Sequence, residues 1–232
     1  MPGLELPASV LVTSDPEEAF ATATLAVNAI PTQYIRPTWK RLAASLAAAA
    51  PIVSVAKGIE TESLRRPSEV LAEVVGGLRG ITVLSGPTIA AELARRLPAV
   101  MVAASSDGPL AERVQAIFGV PWIRIYTNDD PLGVEFAGAL KNVIAIAAGV
   151  AAGLHMGANA MAAIMTRGLA EMTRLGVALG ADPLTFQGLA GVGDLAVTCY
   201  SPLSRNHRFG ELLARGESPA TAAALIGEAV EG

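Results

Sequence analysis

The sequence predicts an α/β fold, with a doubly wound, mainly parallel sheet over residues 1–129 and an all-helical unit over residues 130–232. Three observations lead there. Up to Asp130, short apolar runs alternate with helical stretches, and the runs are continuous rather than alternating, as in strands covered on both faces. Beyond Asp130 the strand signals stop and long Ala-rich helical patterns take over. The composition, 52% hydrophobic and 16% charged over 232 residues, supplies a core; with aromatics at 4%, that core must be built from Ala, Val, Leu and Ile.

The strands are expected at Val10–Thr13, Leu25–Ile30, Ile52–Ala56, Ile81–Leu84, Val100–Ala103 and Ile123–Thr127. Helices are expected between them at Pro16–Ala23, Thr38–Ala49, Pro67–Val75, Thr88–Arg95 and Pro109–Phe118. Ser14 or Asp15 can cap the first, with Pro16 in its opening turn, and Asp107-Gly108-Pro109 can open the last. The second unit reads as helices Gly133–Gly153, Ala158–Leu179, Pro183–Leu189, Asp194–Cys199, His207–Ala214 and Pro219–Glu228. A dinucleotide-binding sheet opens with a strand, a G-x-G-x-x-G turn and a helix. No such turn comes after a strand here, and the nearest pattern, Gly188-x-x-Gly191-x-Gly193, falls among helices. The expectation is therefore an incomplete Rossmann-like sheet, lacking its first strand and glycine-rich turn, followed by a helical catalytic unit without its C-terminal end.

Several functions are disfavoured. The net charge is −4 and no basic run exceeds two adjacent residues, so nucleic acid is a poor partner. Phe136 to Met165 is apolar enough to suggest a membrane, but Lys141, Asn142, His155 and Asn159 interrupt it, which favours a buried helix pair over a span. Met1-Pro2-Gly3-Leu4-Glu5 has no cationic start and does not read as a signal peptide. The single cysteine, Cys199, reads as a small buried residue in a reducing compartment. His155 and His207 have no metal-ligand spacing, and no metal is expected.

The remaining polar residues suggest chemistry. Lys141 stands alone in an apolar helix. It either snorkels to a helix end or is a lysine whose pKa burial lowers toward neutrality, suited to acid/base work. Lys57 comes after an apolar strand, where open α/β sheets bind ligands, or else sits exposed on a loop. Ser85-Gly86-Pro87-Thr88 runs from a strand into a helix start and can present N–H groups and a hydroxyl to an anion, or form an ordinary capped turn. Asp194 and Thr198 share a helix face. Ser204-Arg205-Asn206 can cradle a phosphate, because arginine forks to phosphate oxygens and a helix start adds partial positive charge. Asp194 as a plain helix cap and Arg205 as solvated surface are the alternatives.

Taken in order, the strings Ile30-Pro31-Thr32-Gln33, Ala56-Lys57-Gly58-Ile59-Glu60, Ser85-Gly86-Pro87-Thr88-Ile89-Ala90-Ala91-Glu92, Gly138-Ala139-Leu140-Lys141-Asn142-Val143, Gly191-Val192-Gly193-Asp194-Leu195 and Ser204-Arg205-Asn206 resemble the NAD(P)-dependent glycerol-3-phosphate dehydrogenase family of bacterial type. The resemblance implies reversible reduction of dihydroxyacetone phosphate to sn-glycerol 3-phosphate with NAD or NADP as cofactor, a step that supplies phospholipid synthesis. It makes Lys141 the acid/base. It matches Lys57, Gly86, Thr88, Lys141, Asp194, Ser204, Arg205 and Asn206 to substrate-contacting positions, and Lys57, Ala90, Arg205 and Glu231 to cofactor contacts. It implies a cytoplasmic enzyme acting on a small phosphate substrate, and it allows a homodimer. The alternatives left open are an inactive or mis-started piece of that enzyme and a related hydroxy-acid dehydrogenase.

Overall fold

The computed structural model describes residues 5–76, 80–227 and 229–232; Met1–Leu4 of the N-terminal reading and Glu228 at the end of the last expected helix lie outside them. Five strands, β1 (Ala26–Asn28), β2 (Ile52–Ser54), β3 (Ile81–Ser85), β4 (Ala99–Ala104) and β5 (Ile123–Asn128), form one sheet in that order. Between them lie α1 (Pro16–Phe20), α2 (Thr32–Leu42), α3 (Pro67–Val75), α4 (Ala90–Ala94) and α5 (Gly108–Phe118). After β5 come α6 (Pro131–Gly153), α7 (Gly157–Ala178), α8 (Pro183–Gln187), a π turn (Leu189–Gly193), α9 (Asp194–Tyr200), α10 (Arg205–Ala214) and α11 (Pro219–Ile226).

The sheet is mixed. The β1–β2, β2–β3 and β4–β5 pairings are parallel, as the continuous apolar runs suggest, but β3 and β4 are antiparallel, with Val83 opposite Ala104 and Ser85 opposite Val102. The carboxyl ends of β1, β2 and β3 therefore share one edge of the sheet, and those of β4 and β5 reach the other. The chain leaves β5 at that far edge, and α6 runs back along β3: Val134 packs with Val83, Val102 and Ala104, and one turn later Gly138 lies beside Ser85 and Lys57.

Three sequence expectations are corrected. Val10–Thr13 is not a strand; Val10, Leu11 and Val12 are exposed, and no described strand pairs with them. Apolar β-branched residues cannot form a strand without a partner for their backbone groups. The second helix starts at Thr32 rather than Thr38, with Pro37 inside it, and ends at Leu42 rather than Ala49. Proline there removes one intrahelical donor, and burial of Ile35 and Trp39 on the same face offsets the loss. The Trp39 indole N–H also donates to Asn28 Oδ1 at 2.9 Å. The helix expected from Thr88 is only Ala90–Ala94, with no side chain capping it.

α6 is the central helix of the second unit. It is long and apolar enough to cross a membrane by length and composition, yet half of its most apolar stretch is buried against the rest of the protein. Its core partners include Met161, Met172, Phe186, Leu195 and Cys199. It crosses α10 with almost no side chain between them: a Cβ on Gly210 would lie 2.1 Å from the Ile146 carbonyl oxygen, and one on Gly149 would lie 2.0 Å from that of His207. Beyond Gly153, Met156 N–H bonds to Ala151 O and His155 N–H to Ala152 O, with His155 at φ 55. That is a left-handed helix stop with histidine where glycine is usual.

Candidate active site

The carboxyl ends of β1 and β2 open into a cleft of about 510 Å³ between the sheet and the helical unit. One wall carries Ala29, Pro31, Ala56 and Lys57 from the segments after those strands, with Thr88 and Ala90 beside them; the other carries Lys141, Asn142, Thr198, Ser204, Arg205, Asn206 and Glu231.

Asp194 organises its floor. Its side chain is 1% exposed, and its two oxygens hold two lysines from different parts of the chain. Lys141 Nζ donates to Oδ1 at 2.5 Å and Lys57 Nζ donates to Oδ2 at 2.6 Å. Lys141 also donates to Thr198 Oγ1 at 2.8 Å, while Lys57 reaches the Gly86 carbonyl at 3.1 Å. One carboxylate facing two ammonium groups leaves an excess of positive charge, suited to an anionic ligand. Burial first, and then the neighbouring Lys57 charge, pull the Lys141 ammonium down from 10.5 to about 8, with Asp194 pulling the other way. The snorkelling alternative fails, because the Lys141 side chain is 7% exposed and its amine ends on Asp194.

Local backbone shapes aim these groups. The π turn places Asp194 at the head of α9, and a Cβ on Gly191 would sit 2.0 Å from the Phe186 carbonyl oxygen, so the turn needs glycine there. Such turns insert one residue into helical register and re-aim the residues beyond them. Gly86 has φ +137, and a Cβ on it would meet the Val100 carbonyl oxygen at 2.9 Å. Its carbonyl, rather than its N–H, is the group it offers, to Lys57 and to the Thr88 hydroxyl at 3.2 Å. Ser204 caps α10, accepting from His207 N–H at 3.2 Å, and so places Arg205 and Asn206 in the first turn. Glu231 is half-buried; burial raises its carboxyl above the usual range, while Arg205, Lys57 and Lys141 oppose the shift.

Of the ten residues singled out in the sequence, Lys57, Thr88, Ala90, Lys141, Ser204, Arg205, Asn206 and Glu231 line the cleft, while Gly86 and Asp194 sit behind it and hold Lys57. Sequence reasoning did not single out Asn142 for the site, and it paired Thr198 with Asp194 on one helix face without giving it a role. Asn142 accepts from Asn206 Nδ2 at 3.0 Å, and among the described residues Asn142 Nδ2 and Asn206 Oδ1 have no partner. The available signal was adjacency, since Asn142 is next to Lys141 on one helix and Thr198 lies one turn beyond Asp194. The lone thiol, Cys199, is buried in the core under this floor, and burial pushes it up to about 11.

A buried lysine pulled down to about 8, set where strands of a Rossmann-like sheet end against helices, is the arrangement of a dehydrogenase site. The N-terminal profile of NAD-dependent glycerol-3-phosphate dehydrogenase matches residues 1–111, and the C-terminal profile matches residues 130–232. The chain belongs to that family. It is 47% identical over its whole length to the glycerol-3-phosphate dehydrogenase [NAD(P)+] of Streptomyces coelicolor, of which it spans 69%, and 47% identical to that of Moorella thermoacetica, again spanning 69%. The crystal structure of glycerol-3-phosphate dehydrogenase from Coxiella burnetii superposes with a TM-score of 0.96 at 35% identity, covering all of this chain and 71% of that one. A ketopantoate reductase from Ralstonia eutropha, with a TM-score of 0.55 at 15% identity, shares the fold alone.

Proposed function

We propose that the chain catalyses reversible reduction of dihydroxyacetone phosphate to sn-glycerol 3-phosphate with NADH or NADPH, supplying phospholipid synthesis. The observation that carries this reading is the single buried carboxylate of Asp194 shared by Lys57 and Lys141. An ammonium has three N–H donors. Lys141 directs two of them to Asp194 and Thr198, leaving the third for a substrate carbonyl oxygen. A bound nicotinamide would supply the hydride for the carbonyl carbon. Lys141 gives its proton to the oxygen and becomes a neutral amine, an exchange favoured by its lowered pKa. Lys57 adds positive charge beside the same oxygen. Arg205, at the start of α10, takes the phosphate, with Ser204, Asn206 and Thr88 completing the substrate contacts. Gly86 and Asp194 act through Lys57 and Lys141.

The cofactor fits the wall formed by β1 and β2. Ala29 and Ala56 line the cleft with no bulk beyond a methyl group, and the strand ends present backbone where open α/β sheets bind dinucleotides. Ala90, Arg205 and Glu231, with Lys57, are the contacts we assign to it. We place the division between the sheet and helical units at residues 129 and 130. A cytoplasmic location and a homodimeric assembly belong to the same proposal; the buried lone thiol suits a reducing compartment, and sedimentation reads the assembly.

The test is oxidation of NADH and of NADPH by the purified chain with dihydroxyacetone phosphate present and absent. Substrate-dependent oxidation is expected. Oxidation with 2-keto acids in place of the phosphate would move the reading to a hydroxy-acid dehydrogenase, and failure with both would remove it for this chain.

A further inference from the structure

Glu135 lies on α6, outside the cleft, with a carboxylate 1% exposed. Among the described residues, the three donors to it come from the start of α3, in the sheet unit. Oε1 accepts the Ser68 backbone N–H at 2.8 Å, and Oε2 accepts the Ser68 hydroxyl at 2.6 Å and Arg66 Nη1 at 2.7 Å. The residue in the cap position of α3 is Arg66, whose side chain has no acceptor and cannot satisfy the first N–H groups of the helix. Glu69 reaches back to the Arg66 N–H at 2.9 Å, but the Ser68 N–H takes its acceptor from another helix altogether. The carboxylate of α6 therefore stands where an aspartate in the cap position would.

The same helix meets the sheet unit at two more levels. At Gly138 an added Cβ would lie 3.4 Å from Lys57 Cγ and 3.5 Å from Ser85 Oγ, so α6 rests directly on the Lys57 stem. At Lys141 the two units share Asp194. Glu135 stands six residues before Lys141, about 9 Å along the axis, far enough to act as a separate anchor.

We infer that Glu135 is a positioning residue for the reaction: by capping α3 from across the unit boundary it fixes the depth and rotation of α6, and so the place of Lys141 opposite Lys57. This rests on the reading of Lys141 as the acid. Removing the anchor leaves α6 free to shift at the level of Gly138. The Arg66 guanidinium then keeps only its 3.0 Å pair with Glu69.

The variant Glu135→Gln keeps the shape but turns one carboxylate oxygen into an NH2 donor, so it cannot accept from the Ser68 N–H, the Ser68 hydroxyl and Arg66 together. Two readouts test it. Trace acetylation with acetic anhydride across pH, quantified separately at Lys40, Lys57 and Lys141, reads the Lys141 titration without any turnover, with exposed Lys40 as the reference. A midpoint raised by about one unit or more is expected as water reaches the amine. Reduction of dihydroxyacetone phosphate should lose about tenfold or more in kcat, with KM for the nicotinamide within about twofold, since a small misplacement of the acid is costly. Should Glu135→Gln fail to fold, Ser68→Ala removes one donor and leaves the ion pair; a smaller shift in the same direction is expected. An unchanged Lys141 midpoint and unchanged kcat beside a lower Tm would make Glu135 merely structural and overturn the inference. If the parent chain shows no turnover, the proposed reaction fails there, and the acetylation midpoint still decides the positioning role.

Discussion

An ammonium inside an apolar helix bears a desolvation cost that a surface lysine escapes, and at Lys141 that cost becomes a usable property. Burial and the Lys57 charge bring its titration to about 8, within reach of neutral pH. The protonated form serves reduction and the neutral form serves oxidation. The rate of reduction should therefore fall as pH rises through about 8, while glycerol-3-phosphate oxidation rises through the same region; parallel profiles in the two directions would contradict the assignment. Lys141→Ala should abolish both reactions while NADPH still quenches or shifts fluorescence on binding, and turnover within about tenfold of the parent would remove Lys141 from the chemistry. The sequence disclosed this residue because a lone charge in an apolar run is conspicuous. It did not disclose that Gly86 would offer a carbonyl rather than an N–H, since that depends on a φ of +137 under β4. Nor did it disclose the Asn142–Asn206 pair, which forms only when α6 and α10 touch.

That touch depends on two glycines. With Gly149 and Gly210 facing each other, the backbones of α6 and α10 come close enough for Asn206 to reach Asn142. Gly210→Ala puts a methyl group 2.1 Å from the Ile146 carbonyl oxygen, and the helices must separate. The expected cost is about 1–3 kcal/mol of stability, as for other overpacked cores. A fall in kcat should accompany it, because Arg205 and Asn206 move with α10; urea unfolding and steady-state kinetics measure the two together, and a variant unchanged in both would show that the crossing tolerates a side chain. At this scale the sequence was legible where periodicity was strong: α3, α5 and the two long helices α6 and α7 fall close to their expected spans. It misread α2, expected only from Thr38, which begins at Thr32 and carries Pro37 inside it between two buried neighbours, Ile35 and Trp39. It misread Val10–Thr13, where strand-forming residues have no strand to pair with among the described residues. It also could not show the β3–β4 reversal, because a buried strand has the same composition in either direction.

Over the whole molecule, the cleft joins two units that meet on Asp194, so ligands that fill it should bind the folded chain alone. At free ligand near one hundred times Kd, about 2.7 kcal/mol is added. For a chain of 232 residues that is a Tm increase of ~5–10 °C. Calorimetry with NADPH and dihydroxyacetone phosphate checks it, and a Tm unmoved at saturation would place the ligands elsewhere. The reversal between β3 and β4 has a consequence of its own. Because β5 ends on the side opposite the cleft, the next helix must run back the full length of a strand before its lysine can act. Lys141 comes ten residues after Pro131, about 15 Å of helix, and the five residues of β3 span about 17 Å. The front of α6 is thus a spacer cut to the length of β3. A residue inserted within it would turn the lysine by about 100° as well as push it onward, so this stretch admits changes of letter but not of length.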